Sequence, residues 1–433
     1  MSAFQEDQWN NWLRRLPPDP PVKASGRQPL HTVYGGAHLF QPGTVGKLGT
    51  LARRALEEYA PDPGSLASAL GLDLDLAERI YGRLAHKLAT EPVEDYRVDF
   101  EDGYGYRSEA EEDGHADAAA LSFAAARESG GLPYVTGFRI RSFREPTRRR
   151  ALRTLDRVLT GIARRGGLPA RFVVTLPKAF DPAEVAVLAE ALAVAERQFG
   201  WNSGYLGLEL MIETPTAVNR LPEMIRAAAG RCVAVHLGAW DYVAAFDVTA
   251  AGQDLLHPLV QDARIAMQRA LAGSGVWLVD GATNVLPVPP HRGRELTDSQ
   301  RLENRTAVHS AWRYHADRVR NSLAMGFYQG WDLHPAQIPA RFAVVFAFFL
   351  NQLPEAAARL RNFVGQAARS TMVGGIFDDA ATGQGLLNFF LRAARCGALS
   401  EEEVMAETGL SVEELRVGSF ERILQARRGG TGL

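Results

Sequence analysis

The sequence predicts a (β/α)8 barrel with an N-terminal arm and a C-terminal helical extension. Three observations predict it. Eight β-branched or aromatic runs alternate with alanine- and leucine-rich stretches of helical period between residues 31 and 336, and about 300 residues is the size of eight strand–helix units. Several runs are almost continuously apolar, as strands are when helices cover a parallel sheet. Polar residues gather at the C-terminal ends of the runs, the end at which barrels of this kind carry their sites. An open doubly wound sheet shares the alternation, but no glycine-rich dinucleotide or P-loop fingerprint follows any run.

The elements read in order as follows. Residues 1–30 are polar and carry Pro17, Pro18, Pro20 and Pro21, the composition of an arm or linker. The barrel domain then spans 31–336. Its strands are HTVYGGA (31–37), YRVDFED (96–102), YVTGFRIRSF (134–143), RFVVTLPK (171–178), LGLELMIETP (206–215), VAVHLGAWDY (233–242), VWLVDGATNV (276–285) and GFYQGWDLHP (326–335). TRRRALRTLDRVLTGIARRG and DPAEVAVLAEALAVAERQF typify the helices between them. Residues 337–433 form the helical region, with apolar residues at helix spacing in ARFAVVFAFFLNQL and GQGLLNFFLRAARCG. Its last segments, SEEEVMAETG and SVEELRVGSFERILQARR, each open on a serine followed by acids, a helix-start signature.

Composition excludes several functions. Of 433 residues, 46% are hydrophobic and 23% charged, which is globular and not disordered. Forty-eight Lys and Arg against fifty Asp and Glu leave a formal charge of −2, no electrostatic footprint for nucleic acid or an anionic membrane. Cys232 and Cys396 alone provide neither a disulfide framework nor a thiolate metal cluster. The opening MSAFQEDQWNNWLRRLPPDPP lacks the apolar core of a signal peptide. The longest apolar run, Phe342 to Leu350, falls short of the roughly 20 residues that span a bilayer. A cytoplasmic protein is the expectation.

The strand ends supply the chemistry. The second run ends in Asp99, Phe100, Glu101 and Asp102; the third carries Arg139 and Arg141; the fourth ends at Lys178. Glu213 and Thr214 end the fifth, Asp241 the sixth, Asp280 and Asn284 the seventh, and Asp332 and His334 the eighth. Carboxylates without a His or Cys partner favour a hard cation, Mg2+ or Mn2+, whose shell water and substrate oxygens complete.

Six of these fragments, in order over residues 96–338, resemble the HpcH/HpaI aldolase–citrate lyase β-subunit superfamily of metal-dependent barrel lyases. They are VDFEDGYG, FRIRSF, TLPKAFDPAEV, LELMIETPTAV, HLGAWDYVAAFD and WDLHPAQI. The resemblance implies that Glu213 and Asp241 hold the metal and that Arg139 binds a carboxylate or enolate oxygen of the substrate. It places Glu101 and Asp102 behind the metal waters and Arg139, and makes Lys178 a cation of strand four. Thr214 and Arg141 fall at the substrate end, and His334, Pro335 and Gln337 close the last strand. It further implies a homo-oligomer in which a C-terminal segment covers a site and supplies an aspartate, here Asp378 or Asp379 after Gly374 and Gly375.

Two departures bear on substrate. Arg141 stands where the family carries Asn, and no arginine immediately precedes LHTVYGGAHLF, where the family places an Arg-Ser pair near acyl-CoA phosphates. A free carboxylate substrate and an acyl-CoA thioester both remain open. The long insertion over 38–95 marks a divergent subgroup. The expected activity is Mg2+-dependent carbon–carbon lyase or aldolase chemistry on a 2-oxo or hydroxy-acyl acid through an enolate. A phosphoenolpyruvate-handling phosphotransfer enzyme and a non-catalytic metabolite-binding barrel are the alternatives. His236, inside an apolar strand, reads as a core residue, and Arg148, Arg149 and Arg150 as a solvated helix start.

Overall fold

The computed structural model describes residues 27–293, 295–365, 371–373, 376–378 and 380–429. All eight runs form strands: β1 (His31–Gly36), β2 (Asp95–Asp99), β3 (Val135–Arg139), β4 (Phe172–Leu176), β5 (Gly207–Ile212), β6 (Cys232–Leu237), β7 (Trp277–Ala282) and β8 (Gln329–Trp331). Each pairs in parallel with the next, and β8 returns to β1 through His31 opposite Gly330. The barrel is closed. Asp99, Arg139 and Asp280 lie within their strands, and most of the other predicted site residues lie in the turns just beyond the sheet.

Within β5 the two-residue period of a strand divides LELMIE between two environments. Leu208, Leu210 and Ile212 join the apolar core. Glu209 faces the barrel axis, where the Tyr34 hydroxyl donates to it at 2.6 Å and the Thr175 hydroxyl at 2.8 Å. Arg97 adds a link to Thr175 at 2.9 Å and pairs with Asp95 at 2.6 Å. The barrel interior is therefore a polar network in its lower layers, with the rings of Tyr34, His236 and Trp331 packed on one another above it.

The helices follow from capping and apolar period. The insertion supplies α1 (Thr44–Tyr59), α2 (Pro63–Leu70) and α3 (Leu74–Thr90). Then come α4 (Glu109–Glu128), α5 (Arg148–Ala163), α6 (Pro182–Phe199), α7 (Pro215–Asn219), α8 (Leu221–Ala227), α9 (Ala239–Ala244), α10 (Pro258–Leu271), α11 (Asp298–Ala324) and α12 (Ile338–Gly365). Ser108 and Asp181 build reciprocal capping boxes at α4 and α6, satisfying backbone donors that a helix start leaves open. The apolar α12 packs against α3 and α11. It has the length and composition of a membrane span, yet 83% of its apolar window is buried in the fold.

Two acids expected at the catalytic mouth lie elsewhere. Asp280 turns outward from β7 to Arg264 of α10, at 3.0 Å from Nε, and to the Ser322 hydroxyl of α11. Asp332 is fully buried beneath Arg341 of α12, with nitrogens at 2.9 and 2.8 Å, and beside His31 and His315. Both acids bolt strands to the helical ring. A buried carboxylate needs such a cation, and the arginines of the covering helices provide it.

In the C-terminal region, β9 (Thr371–Val373) and β10 (Ile376–Asp378) pair antiparallel, with Ile376 opposite Val373. Two apolar residues flanking a Gly-Gly pair are a hairpin signal, where a loop is expected from the glycines alone. Then follow α13 (Ala380–Arg395), α14 (Glu401–Thr408), α15 (Val412–Val417) and α16 (Phe420–Gly429). The arm over 1–26, the Gly374-Gly375 pair, Asp379 and the side chain of Asp378 lie outside the described residues.

Candidate metal centre

The site starts from the turn after β2. Asp99, the last residue of that strand, accepts the backbone N–H groups of Glu101 at 2.9 Å and Gly103 at 2.7 Å, folding the FEDG segment back over the strand. The same carboxylate takes Arg139 from β3 in a fork, Nε at 2.6 Å and Nη2 at 2.5 Å. A bidentate pair of this kind fixes both partners. Arg139 is 1% exposed. Its third nitrogen, Nη1, lies 3.4 Å from Glu101 and 3.4 Å from the Met211 sulfur. Tyr34 and Trp331 pack beneath its guanidinium, with ring centroids at 5.0 and 5.5 Å.

Lys178 follows β4 and adopts a left-handed backbone with φ of 51°, a conformation that costs a non-glycine residue energy and concentrates at functional sites. That conformation gives it three duties. Its backbone N–H donates to Glu213. Its ammonium donates to Glu101 at 2.5 Å and to both oxygens of Asp102, at 3.0 and 3.1 Å. Lys178 thus ties the ends of β2 and β5 together.

Glu213 ends the axis-facing series of β5 and is 3% exposed. Asp241 enters from the first turn of α9, just beyond β6, and Asp102 from the β2 turn. Carboxylate oxygens of all three lie within 4.8 Å of one another. Glu213 and Asp241 come together, and a carboxylate oxygen of Asp102 lies in the same cluster. Burial first, and then the neighbouring Asp241 charge, push the Glu213 carboxyl up to about 8. Burial also raises Glu101. Burial would raise Asp102 too, but hydrogen bonding with Glu101 and the Lys178 charge hold it below the ordinary carboxylate value.

A divalent ion fits this cluster. Among the described residues no Lys or Arg side chain hydrogen-bonds Glu213, whose bond is to the Lys178 backbone. Three converging carboxylates, one of them buried, repel one another unless a cation or proton intervenes. The donors are all oxygen, which suits Mg2+ or Mn2+. Gly238, one residue beyond β6, makes the space: a β-carbon there would lie 2.8 Å from Glu213 Oε1 and overlap its Cγ.

The remaining predicted residues each have hydrogen-bond partners of their own. Thr214 caps α7, its hydroxyl accepting the Ala217 N–H at 3.2 Å. The ring of His334 likewise accepts the Ala336 N–H at 3.2 Å. Arg141 is held by Glu112 at 2.7 Å and by the Gly105 carbonyl at 3.0 Å, one turn away from the triad. Below the cluster, Glu209 Oε2, His236 Nε2 and Trp331 Nε1 are buried with no hydrogen-bond partner among the described residues. The sequence gives Asp99 a place among the strand-end acids but no part of its own, and it does not single out Gly238, Tyr34 or Trp331, although Gly238 stands inside the motif HLGAWDYVAAFD.

A family model for a domain of unknown function, DUF6986, matches residues 12–423. The chain belongs to the DUF6986 family. No curated protein matches it. Among solved structures, a citrate lyase from Burkholderia xenovorans LB400 superposes on this DUF6986 chain with a TM-score of 0.57 at 19% identity, covering 90% of this chain and 99% of that one. CitE from Mycobacterium tuberculosis, solved with magnesium, acetoacetate and coenzyme A, gives 0.47 at 16% identity, over 86% of this chain and 99% of that one. Malate synthase from Haloferax volcanii, solved as a magnesium/glyoxylate complex, gives 0.47 at 14% identity, over 87% and 88%. The likeness to the citrate lyase extends the resemblance carried by the six motifs to the fold of this DUF6986 member.

Proposed function

We propose that the protein is a divalent-metal-dependent carbon–carbon lyase or aldolase acting on a 2-oxo or hydroxy-acyl acid. The observation that carries this reading is the oxygen-only triad Asp102, Glu213 and Asp241 at the carboxyl end of a closed barrel. The three carboxylates would hold Mg2+ or Mn2+. When bound, such an ion supplies a Lewis acid for the negative charge that develops on a keto oxygen during C–C cleavage. The chain's own residues do the rest. Lys178 fixes Glu213 through its backbone and Asp102 through its ammonium. Asp99 holds Arg139 so that Nη1 is the edge turned toward Glu101, the edge through which Arg139 would meet a substrate carboxylate. Asp378 would serve as the acid–base, and a homo-oligomer would bring the C-terminal segment to the site. The Burkholderia xenovorans protein of like fold is a citrate lyase, which supports the same chemical class.

The test is a screen of 3-hydroxy acids, their CoA thioesters and 2-oxo acids with and without Mg2+, following pyruvate, glyoxylate or acetyl-CoA. Turnover is expected with Mg2+ and is expected to vanish with chelator and in Glu213→Gln. Activity that survives both treatments would sink the reading.

A further inference from the structure

Between α5 and α6, on the outside of the barrel, runs a groove of about 370 Å3. Its walls are apolar, with Leu152 and Leu159 contributed by α5 and Val187, Val194 and Phe199 by α6. Leu152 and Leu159 stand at i and i+7, as do Val187 and Val194, so each pair forms one stripe along its helix. Leu152 is 40% exposed, Val187 48% and Val194 45%. A ring helix buries its apolar stripe against the strands and turns polar residues outward. Facing apolar stripes on the outer side mark a contact surface. Asp156 and Glu190 also line the groove, and both are exposed. The Thr160 hydroxyl donates to Asp156 at 3.0 Å, and neither acid pairs with a Lys or Arg among the described residues. The complement of such a groove is a helix with an apolar stripe and cations beside it.

We propose that the groove is the docking site of the chain's own N-terminal arm, through residues 9–16. Pattern, charge and reach support this occupant. Trp9, Trp12, Leu13 and Leu16 fall at i, i+3, i+4 and i+7, the anchor spacing of a helix laid in a groove. Pro17 and Pro18 end that run. Arg14 and Arg15 supply the cations that Asp156 and Glu190 lack. The groove also opens where the described chain begins. Arg27 pairs with Glu94 at 2.7 Å and covers the Tyr134 ring at 4.7 Å, while Arg171 lies 4.1 Å from the same ring. Tyr134 and Arg171 immediately precede β3 and β4. Helices of a barrel run back against the strands, so the carboxyl ends of α5 and α6, with Leu159 and Phe199, lie at this same end. The linking residues 17–26 span up to about 33 Å when extended, more than the roughly 24 Å length of α5. Tethering raises the local concentration of the arm to the order of mM, an advantage that a separate second copy lacks. The proposal is independent of the metal-dependent reading.

The experiment is limited digestion of the full chain with an arginine-specific protease, following cleavage after Arg14 and Arg15 by mass spectrometry. A synthetic peptide of residues 1–26 sets the unprotected rate. In the folded protein these bonds are expected to be cut about tenfold or more slowly than in the peptide, the protection that one buried valine contact alone is worth. Val187→Asn and Val194→Asn, at exposed positions that leave the barrel folded by circular dichroism, are each expected to restore cleavage toward the peptide's rate. Leu13→Asn, on the arm's side of the contact, is expected to do the same. Cleavage of the wild type at the peptide's rate would overturn the proposal. Protection that survives both groove substitutions overturns it too, because the arm then docks elsewhere. Light scattering separates the remaining occupant: a mass that falls in Val194→Asn while cleavage is unchanged gives the groove to a second copy. Protection that disappears on dilution together with a fall in mass gives it to a neighbour's arm, and overturns docking within one chain.

Discussion

At Gly238 the backbone passes so close to Glu213 that the smallest side chain would displace the carboxylate. Gly238→Ala is therefore expected to weaken Mn2+ binding while the chain still folds. Overpacking costs about 1–3 kcal/mol, roughly a five- to hundredfold loss of affinity, read by calorimetry; unaltered Mn2+ binding would show that Glu213 is not a ligand. Asp99 is the complementary case. It accepts four hydrogen bonds and neutralises an arginine that is 1% exposed. Asp99→Ala leaves that guanidinium without its fork, and urea denaturation is expected to show a loss of about 3–5 kcal/mol. These residues also mark the limit of sequence reading. Glu213 and Asp241 were legible because an acid closing an apolar run is costly without a cation. The stretch Asp99-Phe100-Glu101-Asp102 offers three acids within a turn, and only the backbone path decides their parts. Asp99 clamps Arg139, Glu101 meets Lys178, and Asp102 enters the triad.

Among the elements, the strands were the most legible because their apolar runs are long and their polar ends abrupt. The direction of the end residues was not, since a single register step moves a side chain from barrel interior to helical ring; Asp280 and Asp332 took the outward path to Arg264 and Arg341. His236, on β6, took the inward one. It is fully buried against Tyr34 and Trp331, and burial lowers its pKa to about 4. The folded protein thus keeps this imidazole neutral, whereas the unfolded chain protonates it at about 6.5. Its contribution is complete above that value and is lost as pH falls from about 6.5 through 4, because there the unfolded state binds the extra proton. The full loss is about 3 kcal/mol. Denaturation of the wild type and His236→Gln at pH 7.5 and 4.5 measures it. The wild type is expected to lose more stability between the two values than the variant; equal losses would show that His236 is protonated within the fold. The β9–β10 hairpin is the opposite kind of element. It is too short for periodicity to reveal, and Gly-Gly reads equally as a hinge.

For the whole molecule, the C-terminal helices cannot be separated from the barrel. Leu360 and Phe363 of α12 and Leu387 and Phe390 of α13 are buried in one core, so removing the segment would expose that core and confuse folding with function. An acid–base role for Asp378 is better tested by Asp378→Asn in the full chain, with turnover expected to fall while Mn2+ affinity holds; normal turnover would send the search back to the barrel face. The metal itself offers a reading of the entire fold. Asp102, Glu213 and Asp241 come from three separate strand–loop units, so the unfolded chain has no such cluster and an ion that binds there stabilises only the folded state. At a free concentration of about 100 times Kd the linkage is about 2.7 kcal/mol. Spread over an unfolding entropy of about 2.1 cal/mol/K per residue, this raises the Tm by roughly 3 °C. Mn2+ is expected to produce a shift of that order in the wild type, increasing with the logarithm of its concentration, and Glu213→Gln is expected to remove it. A shift of equal size in the variant would place the bound ion elsewhere on the surface and leave the three carboxylates to be explained by the protons they share.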